Sequence, residues 1–313
     1  MSAVRPRRRC EEQEAAVPTM TPPWSCVLGV LFTWTLVRCE AFTFVSRADL
    51  YSQLANRHVL SHAQLQQLRN VPAAGVFREL VAKDCRAAYL NMRRTSGLYV
   101  LWPKDSPPMV VYCDLSPEGA GWTFLQRNSL QDSMSFGSHN WDQYRNGFGD
   151  LTGDHWLGND LIHHLTKHSP FTVRILLVDS QGNKYHADYS SFRVDSEGND
   201  YSLRLGDYSG TAGDALTTMN ETGTHDNMKF STTDRDNDRW SKNCAETYGG
   251  GWWFDSCHSA LLNTDRTIYW GGLCDQSTTC RASSIMVKPG RKNCSPIMLP
   301  GAGEYPPIHY SQS

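Results

Sequence analysis

KFSTTDRDNDRWSKNCAETYGGGWWFDSCHSALLN, residues 229–263, carries three alternating aspartates, two cysteines, a tandem tryptophan and a histidine. In DRDND the carboxylates of Asp234, Asp236 and Asp238 fall on one loop-like stretch. Hard oxygen donors clustered this way suit Ca2+, which takes roughly 6–8 oxygens, backbone carbonyls among them. An EF-hand is excluded by its own spacing: position 6 is Arg239 where that loop needs Gly, and position 12 is Ala245 where it needs Glu. The competing reading is a hydrated acidic turn. Zinc fits poorly, because no CxxC occurs anywhere in the chain.

Outward from this stretch, 313 residues give one large domain or two modest ones, and 40% apolar residues allow a real core. The formal net charge is −2, and no basic stripe lies outside the extreme N-terminus. That argues against nucleic acid or acidic lipid as a partner. Trp24 to Val37 is a 14-residue run without a charge, shorter than the ~20 residues of a spanning helix. It reads as the core of a signal peptide over residues 1–41, with Cys39 and Ala41 as the small residues before the cut. Residues 1–19 carry RPRRR and three glutamates, awkward for such a peptide; a start at Met20 leaves a compact one. The alternative is a type II anchor at residues 24–37. Either way the remainder is extracellular, with no membrane span in the mature form.

Ten cysteines agree with that compartment. Removal of residues 1–41 takes Cys10, Cys26 and Cys39 and leaves an odd seven, so one thiol is free, bonded to another chain as in a homo-oligomer, or misassigned to the mature protein; once the pairings given below are made, Cys294 is the one left over. Two sequons, at Asn220 and Asn293, fit secretion as glycosylation sites.

Residues 42–80 are polar with spaced leucines and read as a short, partly helical linker, with no heptad pattern sustained over three repeats. From Phe77 the texture changes. Strand-like runs (GLYVLW, MVVYCDL, GWTFLQR, FTVRILLV, YSLRLG) alternate with Gly, Asp and Asn turns, with helix-turn stretches such as WDQYRNGFGD between them. Strands with occasional short helices imply an α+β domain over residues 81–290. After Ser209 periodicity fades into a loop-rich region that needs staples or metal to stay ordered. Residues 291–313 read as a flexible tail.

DCRAAYLNMRRTSGLYVLWP (84–103), VYCDLSPEGAGWTFLQR (111–127), DHWLGN, YSLRLGDYSGTAGDAL, MKFSTTDRDND, NCAETYGGGWWFDSCHSALLN and MVKP (286–289) together resemble the fibrinogen C-terminal domain family, in that family's order and over about two thirds of the chain. The resemblance implies a small N-terminal disulfide subdomain, a central mainly antiparallel sheet and a loop-rich calcium-binding subdomain. It implies disulfides Cys85–Cys113 and Cys244–Cys257, the second contributing roughly 3 kcal/mol by closing a short loop. It maps calcium onto Asp236, Asp238 and the backbone oxygens of Trp240 and Lys242, where the family often has Gly at the last position. Cys274 and Cys280 have no counterpart in the family's usual pattern and are paired here by proximity alone.

In ficolin- and tachylectin-like members, residues matching Tyr248, Cys257 and His258 line a pocket for acetyl groups beside a cis peptide, which here is Ser256–Cys257. Trp252 and Trp253 brace that loop as core residues. The chain departs from the family after Asn263: the segment that supplies the pocket's far wall is largely missing, and Tyr269 is the residue placed to substitute. No GxSxG, HExxH or Walker loop is present, and GDYSG has the wrong spacing for a nucleophile elbow. His155, His163 and His164 are expected at the surface. A non-catalytic recognition protein follows. It is either a ligand for an extracellular or cell-surface protein or a lectin for acetylated glycans, and the shortened segment and missing collagen-like stalk favour the first.

Overall fold

The structure, a computed structural model, describes residues 82–91, 95–131, 134–218, 223–275 and 279–290. The expected signal peptide, linker and tail, together with Asn220, Asn293 and Cys294, lie outside the described residues.

A short helix α1 (Cys85–Leu90) opens the domain, its N-terminus capped by the buried Asp84 carboxylate, which accepts from Ala87 N at 2.7 Å. Strands β1 (Gly97–Leu101), β2 (Met109–Asp114) and β3 (Trp122–Asn128) follow as an antiparallel meander. The Cys85–Cys113 disulfide ties α1 to β2 with a Cα separation of 5.5 Å. Helix α2 (Trp141–Asn146), the two-residue strands β4 (Phe148–Gly149) and β5 (His155–Trp156), and helix α3 (Asn159–Thr166) lead into the long pair β6 (Phe171–Asp179) and β7 (Lys184–Val194). Strands β8 (Leu203–Leu205) and β9 (Tyr208–Gly210) both pair with β7.

The chain then leaves the sheet through residues 211–279 and returns as β12 (Cys280–Pro289). That last strand inserts between β3 and β6, so the sheet reads β1-β2-β3-β12-β6-β7-β8, and every strand pairing in it is antiparallel. Within the excursion sit helix α4 (Cys244–Tyr248) and a separate ribbon of β10 (Ala260–Leu261) and β11 (Tyr269–Trp270).

Strand β6 alternates buried and half-buried residues over its whole length, the period of a sheet with one face in the core and one towards water. Its inward set, Val173, Ile175 and Leu177, meets Ala187 and Tyr189 of β7, Ile285 and Val287 of β12, and the apolar stripe of α3 formed by Leu161, Ile162 and Leu165. On the other face Trp122, Phe124 and Met286 make a smaller cluster roofed by cations, with Arg174 and Lys288 over Trp122 and Arg127 over Phe124.

One expectation is corrected here. His155, in β5 beside β3, is 1% exposed, with Nδ1 donating to Gly153 O at 3.0 Å; burial lowers its pKa to about 4. His163 and His164 are half-buried, His163 donating from Nδ1 to Val194 O and His164 accepting from Lys167 Nζ. An isolated histidine in a polar-looking stretch carries no periodic signal of burial, so the sequence misplaced His155, while His163 and His164 keep part of their surface exposed.

Two features carry the excursion on the sheet. Gln126 and Asn128 of β3 reach across to it with their amides: Asn128 Nδ2 donates to Leu262 O at 2.9 Å and Thr264 O at 2.8 Å, and Gln126 Nε2 to Leu262 O at 3.2 Å. At the opposite side Asp200 and Tyr201 both take left-handed backbone, with φ of 50° and 49°. That corner aims Tyr201 O at Trp253 Nε1, 2.8 Å away, and the Asp200 carboxylate at Arg235.

Candidate functional site

The three alternating aspartates divide their work. Asp234 points inward, accepting from Trp141 N at 2.9 Å and from Thr232 Oγ1, so it fastens the start of α2 to the loop. Arg235 lies over the Trp141 ring, 3.9 Å from its centroid, and bonds Asp200. Asn237 also turns in, donating to Phe230 O at 2.8 Å. With these three held, Asp236 and Asp238 are the carboxylates presented on one side.

Asp238 is clamped by two backbone N–H groups, Trp240 to Oδ1 at 2.8 Å and Cys244 to Oδ2 at 2.8 Å, and Asp236 Oδ1 accepts from Asp238 N at 3.2 Å. Burial, and then the adjacent Asp236 charge, hold the Asp238 carboxyl above the usual carboxylate range despite those two N–H donors. Two like charges pressed together by their own loop are what an oxygen-liganded cation relieves. Among the described residues no set of three or more His, Cys, Asp or Glu side chains surrounds a common point, so a cation here would draw its remaining ligands from carbonyls. Neither Trp240 O nor Lys242 O accepts a hydrogen bond among the described residues, and the Lys242 ammonium leans back over the Trp240 ring, 5.7 Å from its centroid. The donor set is all oxygen and fits a calcium-like ion.

Asn243 N-caps α4 through Glu246 N at 2.9 Å and ties it to Thr232 O. Cys244 begins the helix and is bonded to Cys257, with S–S 2.03 Å and Cα atoms 5.6 Å apart. Tyr248 ends it. Gly249 and Gly250 follow with φ of 82° and 77°, and a β-carbon on Gly250 would lie 1.8 Å from Asn263 O. Only glycine allows the chain to turn beneath the pocket there.

Tyr248, 41% exposed, stands edge-on to His258, their ring centroids 4.7 Å apart and their planes at 89°. On the far side of His258 lies Tyr269 at 5.2 Å. The Ser256–Cys257 peptide is cis. Trp252 and Trp253 beneath are 1% and 2% exposed and belong to the core. Burial lowers the His258 pKa to about 4, so the imidazole is neutral at physiological pH. Tyr269, which follows the shortened segment after Asn263, thus lies against the His258 ring.

That segment is pinned as well as short. The Asp265 carboxylate accepts from Ser135 Oγ at 2.5 Å, Phe136 N at 2.5 Å and Gly137 N at 3.0 Å. Asn263 Nδ2 donates to Gly251 O at 2.9 Å. Cys274–Cys280 closes the base of β11 onto β12, where Trp270 and Cys274 exchange backbone hydrogen bonds.

His225 was overlooked by the sequence reading. It is fully buried; Nδ1 lies 2.7 Å from Trp253 O, while Nε2 faces Ser259 N at 3.0 Å and Ala260 N at 2.9 Å. A carbonyl only accepts and an amide N–H only donates, so the neutral Nδ1–H tautomer is required. Nothing in GTHDN signals this, because its partners lie about thirty residues downstream.

An antiparallel sheet carrying a disulfide-stapled loop excursion with a cluster of aromatic side chains is a fibrinogen-like globe. The chain belongs to the family described as fibrinogen beta and gamma chains, C-terminal globular domain, whose model matches residues 81–285. Among relatives, a fibrinogen-like protein 1-like protein of Gallus gallus is 42% identical over 68% of this chain and 75% of its own length. Fibrinogen-like protein 1 of Homo sapiens is 42% identical over 60% of this chain, which spans 62% of that protein. Among solved structures, the fibrinogen-like globe domain of human ANGPTL2 superposes with a TM-score of 0.62 at 33% identity, over 67% of this chain and all of that one. A lamprey fibrin D-dimer complexed with the peptide Gly-His-Arg-Pro-amide gives 0.64 at 29% identity, over 85% of this chain and 88% of its own. Membership is consistent with a non-catalytic recognition protein. Among the described residues no helix is long and apolar enough to cross a membrane.

Proposed function

We propose that this chain is a secreted, calcium-stabilised recognition protein that acts as a ligand for an extracellular or cell-surface protein. The observation that carries the reading is the aromatic pocket of Tyr248, His258 and Tyr269, presented on loops that Cys244–Cys257, Asp265 and His225 hold in place. An exposed tyrosine beside a neutral, half-buried ring offers apolar area with a polar tip, the chemistry favoured at protein interfaces. A fold relative bound to a peptide supports a polypeptide partner. Asp236 and Asp238, with the carbonyls of Trp240 and Lys242, would hold the calcium ion, which would neutralise the paired carboxylates and stiffen the loop that leads into α4.

A second reading, binding of acetylated carbohydrate, is kept by one observation: Tyr269 lies against His258, where it would supply an aromatic wall in place of the shortened segment. One experiment separates the two. The mature protein is offered, with and without a calcium chelator, to an array of purified receptor ectodomains and to immobilised N-acetylated sugar. The ligand reading expects capture on one or a few ectodomains, lost in Tyr248→Ala and weakened in Tyr269→Ala, with both variants melting within a few degrees of wild type. Capture on the sugar resin, released by free N-acetylglucosamine, selects the second reading. Ectodomain capture that ignores both tyrosines overturns the pocket as the binding surface.

A further inference from the structure

The ribbon that carries Tyr269 is too short to fix its own register. Strands β10 and β11 have two residues each, and they pair Ala260 with Trp270 and Leu261 with Tyr269. Alternation along a strand sends neighbouring side chains to opposite faces. Ile268 and Trp270 are accordingly 0% exposed in the core, while Tyr269 between them is half-buried and turns to the His258 ring. A slip of one residue would exchange those faces and take Tyr269 away from His258. Two pairs across a ribbon do little to oppose such a slip. Trp270 Nε1 adds bonds to Ala212 O and Gly213 O, each 3.1 Å, but these hold only the downstream side of Tyr269.

The residues on either side of Tyr269 are each paired with one half of a disulfide. Trp270 exchanges two backbone bonds with Cys274, both 2.8 Å, across the turn at 271–273, and Ile268 is bridged antiparallel to Cys280. Cys274 and Cys280 are bonded to one another, both buried, with Cα atoms 5.4 Å apart. Cys280 in turn opens β12 and pairs with Asp179 of β6, where Ser180 N donates to Thr279 O at 3.0 Å. The upstream neighbour of Tyr269 is thus fixed against the sheet and the downstream one against the turn, and the disulfide joins the two fixings. We propose that Cys274–Cys280 is a register lock that positions Tyr269 against His258, so that this ring of the aromatic cluster is placed by the disulfide rather than by its own ribbon. The two cysteines act through the backbone of Ile268 and Trp270 and are positioning residues. The consequence for binding rests on the function proposed above, whereas the positioning is a property of the free protein.

The test compares wild type with the double variant Cys274→Ala/Cys280→Ala, each as the full mature chain in calcium. Nuclear Overhauser contacts from the His258 ring to Tyr248 and to Tyr269 are read on the free protein. Wild type should show both. In the variant the contact to Tyr248, carried by the Cys244–Cys257 side, should persist, and the contact to Tyr269 should be lost. A variant that keeps both contacts overturns the lock. So does one that loses both, since the disulfide would then be a general staple. Capture on the partner found by the preceding experiment is read on the same samples, and the variant should weaken it as far as Tyr269→Ala does. A lost contact with capture unchanged would keep the lock and remove Tyr269 from the binding surface, a failure of the proposed function and not of the positioning. Should the variant fail to fold, amide exchange of wild type decides. Trp270 and Cys274 amides that exchange within about tenfold of those of Ile285 and Val287 in β12 support the lock, and faster exchange overturns it.

Discussion

The sheet half of the domain and the excursion between β9 and β12 hold their shape by different means. In the first, β6 alternates apolar residues at period two, and its inward set buries itself with apolar residues of β7 and β12 against α3 with little help from side-chain polar bonds. In the second, residues 211–279 have two-residue strands and a five-residue helix. Order there comes from side chains that bond to backbone: Asp238, Asn243, Asp265, Asn263 and His225, with two disulfides. A polar clamp is specific in geometry and easily released by changing one group, whereas a packed face yields only to the loss of volume. The proposed binding site is in the releasable half, where side chains are positioned without a core of their own.

Acid attacks both halves and should give the largest effect. His155 in the sheet strand β5 and His225 in the excursion have folded pKa values of about 4 through burial. The unfolded chain binds protons at an ordinary histidine pKa of about 6.5, so stability is full above that value, falls as pH drops through the window, and levels off below about 4. Each ring contributes about 3 kcal/mol to the loss by pH 4, about 6 kcal/mol for the pair, and His258, lowered to about 4 in the same way, adds a similar amount. Denaturant titrations at pH 7 and 4.5 measure it. Retained stability at pH 4.5 would mean that neither ring is held neutral.

Two substitutions then separate the halves. Ile285→Ala removes volume from the strand that joins β3 to β6, where Ile285 is 4% exposed; a loss of about 2–5 kcal/mol is expected, spread over the amide protection of the whole sheet. Replacing Cys244 and Cys257 together by alanine should lower stability by about 3 kcal/mol, with new proteolytic cuts between 235 and 260 and little change in exchange at Leu177. If the disulfide variant instead loosens β6 as much as Ile285→Ala does, the two halves are one cooperative unit and the contrast drawn between them fails.

The same contrast explains what was legible beforehand. The strand runs at β1, β2, β3, β6 and β8 stand out because apolar alternation is a local signal, and residues 229–263 stand out because cysteines, aspartates and tandem tryptophans are rare in combination. β7 and β12 were harder. KYHADYSSFRV puts polar residues on its half-exposed face, while CRASSIMVKP buries Ser283 and Ser284 in a run without alternation, and β12 draws its place from partners on both sides that lie far away in sequence. His155, His225 and Asp265 were illegible for a related reason. A buried histidine or a clamping carboxylate is defined by backbone groups that meet it only in the folded chain, such as Phe136 N for Asp265, 129 residues away. Tyr269 was visible as a candidate for the missing pocket wall, but its contact with His258 depends on how the shortened segment is pinned.

The smallest effect is the most discriminating, because its sign depends on what surrounds it. Asp238→Asn keeps one oxygen to accept from backbone and removes the charge that burial and Asp236 disfavour. In chelator the loss of one N–H acceptor opposes the relief of charge, and the two are of similar size, about 1 kcal/mol each; the melting temperature should move by no more than a few degrees either way. In calcium the comparison changes. A ligand that binds only the folded state stabilises it by about 2.7 kcal/mol at one hundred times its dissociation constant, and the variant forfeits most of that gain. Wild type and Asp238→Asn should thus melt together in chelator and separate in millimolar calcium, with magnesium as the control for simple screening. Curves that stay superposed in calcium would leave Asp236 and Asp238 as a hydrated turn, and the excursion would then owe its order to disulfides and hydrogen-bonded clamps alone.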